Sequence, residues 1–240
     1  MQIKVLTFNI HHGKGLDNRV DLSRISKIIQ STGADVIGLN EVDKHFSKRS
    51  EFLDQAEWLA KKLGMDFVFG PAITSRERGS HHVRQYGNAI LSRFPIIRSN
   101  NHPFDFLPNI IEERALLEAD ISIKGTELSV FVAHLSFAPF LHGKQTNFIL
   151  DQVQRKQNPI VVMGDWNMYP FTKSWKLATS VLKDPVEEQA ALVTYPAKKP
   201  RVRLDYIFIR KDMNVIDTEV IMHEPIASDH LPLLATLQLI

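Results

Sequence analysis

The chain has 240 residues and a mass of 27.4 kDa, 44% of it hydrophobic and 23% charged, which suits one large folded domain or two small ones and excludes disordered and fibrous classes. A formal charge of +2 and a pI near 8.7 fall far short of the dense basic stripe of a DNA-coating protein, so a polyanionic substrate is allowed but not demanded. There is no cysteine, which excludes disulfide scaffolds, cysteine nucleophiles and thiolate zinc sites; any metal must sit on oxygen and imidazole ligands.

Residues 1–10 alternate like a strand and lack the three regions of a secretion signal. No apolar run approaches the roughly 18 residues of a membrane helix. A soluble, cytoplasmic protein without stable membrane insertion is the expectation. The strand Ile3 to Ile10 stops at Asn9, His11 and His12. Asp21 then caps a helix whose apolar residues Leu22, Ile25, Ile28 and Ile29 end at Gly33. A buried strand, Asp35 to Leu39, runs directly into Asn40, Glu41, Val42 and Asp43. In such a β-helix-β unit the strands are usually parallel and share one carboxyl edge, which would bring Asn9 and Glu41 together.

A second helix is predicted from about Glu51 to Leu63, with Gly64 as its stop, and a short strand over Phe67–Phe69. Residues 74–85 read as a polar, basic loop in which Arg76, Arg78, His81, His82 and Arg84 either face solvent or meet an anionic group. From Tyr86 the pattern turns to strands: Asn88–Ser92, then Ala115–Ile123 and Glu127–Ala133 as a hairpin about Lys124-Gly125-Thr126, its second arm ending in His134. A helical spacing covers about Lys144 to Gln154.

The apolar run Ile160-Val161-Val162-Met163 then meets Gly164 and delivers Asp165 and Asn167. Period-two alternation puts those two side chains on one side of the backbone, facing a common ligand, or they form an Asx turn bonded to their own backbone. A short helix from Thr172 to Leu182 and three strands, Leu204–Arg210, Val215–Met222 and Leu231–Leu239, complete the chain. No low-complexity linker and no repeat of fixed period is visible, so a single domain over 1–240 is expected.

Seven segments together resemble the endonuclease/exonuclease/phosphatase superfamily, which includes DNase I-like nucleases, sphingomyelinases and inositol-polyphosphate phosphatases. They are Thr7-Phe8-Asn9, Leu39-Asn40-Glu41-Val42, Tyr86-Gly87-Asn88-Ala89-Ile90-Leu91-Ser92, Ala133-His134-Leu135, Gly164-Asp165-Trp166-Asn167, Leu204-Asp205-Tyr206-Ile207 and Ser228-Asp229-His230-Leu231-Pro232. The resemblance implies an α/β fold, a four-layer α/β/β/α sandwich of two mixed sheets flanked by helices, with the site at one end of the sheets.

It also implies roles. Glu41 would be the principal ligand of a Mg²⁺ ion, or Mn²⁺ in its place, supported by Asn9 and with Asp229 as a further metal-side carboxylate. Asp165 would orient or deprotonate the attacking water, and Asn167 would hold the phosphate or the nucleophile. His134 and His230 would contact phosphate oxygens, with Asp205 orienting His230. His11 stands where several nuclease branches carry Asp or Gln, and reads either as a different metal edge or as a loop histidine without a ligand role. Arg114 could reach the phosphate or pair with Glu112 or Glu113.

The expected activity is metal-dependent hydrolysis of phosphodiester bonds, foremost in nucleic acid, by a monomer without protein partners. A phospholipid-headgroup or small phosphate-ester hydrolase is the alternative, and a non-catalytic binding module on the same fold ranks below both.

Overall fold

The computed structural model describes residues 1–76, 83–104, 113–186 and 192–239. Arg78, His81, His82 and Glu112 lie outside the described residues. The first β-helix-β unit forms as expected: β1 (Gln2–Asn9) and β2 (Val36–Lys44) are parallel and joined by α1 (Leu22–Thr32). Asp21 caps α1 by accepting from Arg24 N, and Gly33 closes it at φ +64°.

The next helix, α2 (Gln55–Leu63), starts four residues later than predicted. Asp54 accepts from Glu57 N and so fixes the first turn, whereas Glu51 and Phe52 have positive φ. A two-strand antiparallel pair, β3 (Asp66–Ser75) and β4 (Arg84–Ser92), takes in both ends of the segment expected to be a loop.

Strand β5 (Ile96–Pro103) was not anticipated, because its polar, largely exposed residues lack alternation; it is the edge of its sheet. The hairpin β6 (Ala115–Ile123) and β7 (Thr126–His134) follows. Helix α3 (Pro139–Gln154) is one turn longer than its apolar spacing indicated, since Pro139 opens it. The chain ends with β8 (Ile160–Asp165), α4 (Lys173–Val181), the two-residue β9 (Leu182–Lys183), β10 (Asp205–Arg210), β11 (Asn214–Val220) and β12 (Leu233–Gln238).

Two six-stranded mixed sheets result, ordered β11-β12-β1-β2-β4-β3 and β5-β6-β7-β8-β10-β9. Their pairing pattern is the same, an antiparallel pair, a parallel pair bridged by a helix, then two antiparallel strands, but β6 and β7 are joined by a tight turn whereas their counterparts β12 and β1 are the last and first strands. The fold is thus a structural duplication without a sequence repeat, and β1 and β2 occupy the places that β7 and β8 hold in the other sheet.

Three apolar layers account for the stacking. One, with Val5, Val36, Val132, Val161 and Met163, lies between the sheets; a second joins Leu6, Phe8, Ile37 and Leu39 to α1 and α2; a third joins Phe131, Ile160, Val162 and Phe208 to α3 and α4. Strand β8 shows why its sequence is uniformly apolar. Val161 and Met163 face the other sheet while Ile160 and Val162 face the helices, so both sides of the strand are buried.

Gly164 sits at the exit of β8 with φ +138°, and a Cβ there would lie 1.9 Å from the Ala133 carbonyl oxygen of β7. No side chain fits without separating the two parallel strands. Gly164→Ala is expected to cost on the order of 3 kcal/mol of stability, measured by urea unfolding followed by circular dichroism; an unchanged midpoint would contradict this packing.

Candidate active site

Register sets out the site. His134 pairs with Asp165 across β7 and β8, and Asp205 pairs with Asp165 across β10 and β8, so three functional side chains stand abreast at one end of the second sheet. On the first sheet Asn9 pairs with Asn40 across β1 and β2, and Glu41 follows at a bulge with φ +59°. Asn167 also has positive φ, 47°. Such conformations cost about 1–3 kcal/mol each and persist where surrounding contacts hold them.

The Asn9 amide joins the two sheets: its Nδ2 donates to Glu41 Oε1 at 3.0 Å and to Asp165 Oδ2 at 3.0 Å. Its Oδ1 accepts from His11 N. Asp165 Oδ2 also lies 3.4 Å from His134 Nε2 and 3.6 Å from His230 Nε2. Asp165 Oδ1 accepts from Asn167 N at 3.0 Å, so the Asx turn forms as well as the shared face. Asn167 Nδ2 donates to Leu135 O, and its buried Oδ1 has no hydrogen-bond partner.

The tautomer of His134 follows from its neighbour. Arg114 donates to His134 Nδ1 at 2.8 Å, so that nitrogen is an acceptor and Nε2 carries the proton. Complete burial and then the Arg114 charge hold its pKa well below the ordinary value, and the ring is neutral. Arg114 is itself buried beside the site, and its bond to His134 is a contact that neither reading of it from sequence included.

His230 is the opposite case. Burial works against its charge, but Asp205 and Asp165 outweigh burial and raise its pKa to about 10. Its Nδ1 donates to Asp205 Oδ2 at 2.8 Å, and the Tyr195 ring lies 4.8 Å from its centroid. Burial raises Asp165 to about 7, against the opposing pull of His230. For His230 the folded value exceeds the unfolded 6.5, so its contribution to stability is present in full below about 6.5 and is lost as pH rises through about 10.

Glu41, Arg114, His134, Asp165, Asn167 and His230 open on one cavity of about 390 Å³, lined also by His11, His12, Phe46, Arg49, Tyr86, Phe137 and Asp229, while Asn9 and Asp205 are fully buried and do not line it. His11 Nδ1 is 3.7 Å from Asp229 Oδ1. Among the described residues, His11, His12 and Glu41 bring one ligand atom each within 4.8 Å of one another. His12 is buried with Nδ1 unpartnered, and burial followed by the Arg49 charge lowers its pKa to about 4, leaving a neutral imidazole. An oxygen and imidazole donor set of this kind fits a divalent cation. A second carboxylate and histidine group is Asp165, Asp205 and His230, in which His230 is bonded to Asp205, Asn9 to Asp165, and the buried Asp205 Oδ1 has no hydrogen-bond partner.

Asn40 and Asn88, quoted only as motif members, turn out to be structural. Asn40 Oδ1 accepts from Asp165 N, and Nδ2 donates to Asn88 Oδ1 and Ala133 O; Asn88 Nδ2 donates to Ala115 O. Arg49 and Tyr195 were missed, because neither falls in a recognisable pattern. Arg49 reaches the cavity from a short 3-10 turn, held by two bonds to buried Asp43.

The model of the endonuclease/exonuclease/phosphatase family matches residues 6–230. The chain belongs to the endonuclease/exonuclease/phosphatase family. Family members are hydrolases of phosphate esters that generally use a divalent metal. Among solved structures, an endonuclease/exonuclease/phosphatase from Beutenbergia cavernae is 24% identical with a TM-score of 0.80, covering 99% of this chain and 72% of the other. The mannosyl-6-phosphatase Bt3783 of Bacteroides thetaiotaomicron is 19% identical with a TM-score of 0.77, covering 99% and 100%. D. rerio TDP2, in complex with a single-strand DNA product, is 18% identical with a TM-score of 0.72, covering 99% of each chain. No curated protein matches. At these identities the structures establish the family's fold, a sandwich of two mixed sheets flanked by helices.

The His230–Asp205 pair makes a direct prediction. Asp205→Asn removes the nearest negative charge, so the His230 pKa is expected to fall by about 1–3 units. NMR titration of the imidazole in metal-free protein reads it; an unmoved His230 would show that Asp205 does not hold its charge.

Proposed function

We propose that this family member is a divalent-metal-dependent phosphoesterase that hydrolyses phosphodiester bonds, with nucleic acid as its foremost substrate. The observation that carries this is the placement of Asn9 between Glu41 and Asp165, which couples a metal-side carboxylate to a buried carboxylate fit to act as a base. Glu41 is the principal ligand, with Asp229, His11 and His12 at the same cavity edge and Asn9 as the amide that aims Glu41. Mg²⁺ suits the carboxylates, and the imidazoles extend the set toward Mn²⁺. A cation held there would supply charge stabilisation to the phosphoryl oxygens and the leaving oxygen.

The chain's own groups do the rest. Asp165, with a pKa near neutrality, takes a proton from the attacking water. His134 offers an Nε2–H and His230 an imidazolium N–H to nonbridging oxygens, so charge that develops at phosphorus meets donors already in place. Asn167 holds the phosphate or the water from the exit of β8. Asp205 keeps His230 charged and oriented. No covalent intermediate is needed.

A small phosphate-ester or phospholipid-headgroup hydrolase is the second reading. The compact cavity and the net charge of only +2 favour it, as does likeness to a fold neighbour named a mannosyl-6-phosphatase. Salt separates the two: turnover of a polynucleotide should weaken steeply as salt rises, and that of a small ester should not.

Asp165→Ala and His230→Ala are each expected to lower kcat by about 10²–10⁴, and EDTA should abolish turnover reversibly, with Mg²⁺ or Mn²⁺ restoring it. The assay is a panel of plasmid DNA, single-stranded RNA, abasic DNA, sphingomyelin and bis-p-nitrophenyl phosphate. Near wild-type turnover by either folded variant would refute the assignment, and inactivity on every substrate with metal present would favour a binding module.

A further inference from the structure

A second cavity, of about 620 Å³, adjoins the catalytic one and shares Phe137, Asn167 and Leu204 with it. Its size falls in the range of ligand sites. It lies between the start of α3 and the start of α4, and its rim carries large aromatic rings in open solvent: Phe137 is 69% exposed, Phe140 66% and Tyr169 57%. Phe171, 63% exposed, stands on the same β8–α4 loop. Rings exposed to this degree are costly to keep in water, and their gathering beside a reaction centre marks a contact surface.

The charge of the groove is one-sided. Lys144 and Lys173 line it, and among the described residues no Asp or Glu does. Lys144 Nζ lies 4.5 Å from the Phe140 ring centroid. The two helices that start at the groove, α3 and α4, have no side-chain cap, whereas α1 and α2 are capped by Asp21 and Asp54. The N–H groups of the first turn, those after Pro139 in α3, therefore have no side-chain cap and can meet an anion. Asn167, almost wholly buried on the wall common to both cavities, has its Oδ1 unpartnered. Flat apolar faces interleaved with cationic donors are what a strand of unpaired nucleotides requires, the rings for its bases and the lysines for its phosphates.

The opposite side of the catalytic cavity has the same character. Phe46 and Arg49, from the segment after β2, and Tyr86 of β4 line it, with the Arg49 guanidinium 4.5 Å from the Phe46 ring centroid. Chemistry at the centre is thus flanked by aromatic and cationic groups from two separate parts of the fold, as suits a bond with a chain continuing on either side.

We infer that the groove between α3 and α4 is a binding subsite for the nucleotide next to the reacting phosphate of a single-stranded nucleic acid. The inference rests on the phosphoesterase reading of the adjoining site and names its substrate class. Duplex DNA is disfavoured, because its bases are stacked on one another and cannot reach these rings.

The test uses the whole protein and a fluorescent oligothymidylate of about 12 nucleotides, with anisotropy measured in EDTA so that nothing is cleaved. Phe140→Ala with Tyr169→Ala is expected to weaken binding by about tenfold or more. Lys144→Ala with Lys173→Ala is expected to reduce the slope of log affinity against log salt by about 1.4. With metal present, the ratio of kcat/KM on the oligonucleotide to that on bis-p-nitrophenyl phosphate should fall in the aromatic variant by about the same factor.

Unchanged binding in both variants overturns the subsite, as does equal affinity of the wild type for a duplex of the same length. Loss of sedimentation with phosphatidylcholine vesicles, with oligonucleotide binding intact, would assign the rings to a lipid surface and overturn it too. A wild type that hydrolyses neither substrate but loses oligonucleotide binding on substitution would sink the proposed catalysis and leave the subsite standing.

Discussion

A pair of buried amides, Asn40 and Asn88, ties the ends of the two sheets together alongside Asn9. Asn40, on β2, spends both ends of its side chain on the other sheet and on Asn88; Asn88 in turn reaches β6 through Ala115 O. Five strands from both sheets converge there, at distances of 2.8 to 3.0 Å. Replacing either amide with an apolar group strands buried donors and acceptors, at about 1–3 kcal/mol each. The geometry of the candidate site depends on the same bonds. Asn40 precedes Glu41 in the chain and fixes the backbone N–H of Asp165, so the separation of the two carboxylates is set by a side chain that touches neither reactant.

That arrangement exploits a duplicated scaffold. Asn9 ends β1 and His134 ends β7; Glu41 sits at the bulge within β2 and Asp165 ends β8, so corresponding strands carry different side chains. The first sheet carries Asn9 and Glu41 and the second carries His134, Asp165 and Asp205, while His230 comes from the β11–β12 connection of the first sheet. Parallel strands placed side by side bring their carboxyl ends to one edge, and stacking two such pairs brings four together.

Much of this was legible in the sequence. A strand buried on both faces must be apolar throughout, which marked β8, and the caps Asp21 and Gly33 bracketed α1. Side chains at strand exits could be named because a polar group ending an apolar run has few structural reasons to be there. What escaped notice lacked those local signals. Strand β5 is an edge whose polar residues make no pattern, and the first turn of α3 depends on Pro139 rather than on apolar spacing. Arg49 and Tyr195 reach the cavity from a short turn and a loop, where only the folded chain brings them near. The aromatic groove is similar: Phe140 and Tyr169 are nearly thirty residues apart and meet only because α3 and α4 start beside one another.

The electrostatics of Asp165 connect binding to chemistry under the proposed mechanism. In the free protein three N–H groups, from Asn9, His134 and His230, surround a single oxygen of this carboxylate. They are the donors that a phosphate oxygen would need, already gathered about a negative charge, so little reorganisation accompanies binding. When a phosphate draws the two imidazoles to itself, Asp165 loses the neighbours that stabilise its ionised form and its burial remains. Its affinity for a proton therefore rises once substrate is bound, and the base gains strength at the moment the water must be deprotonated.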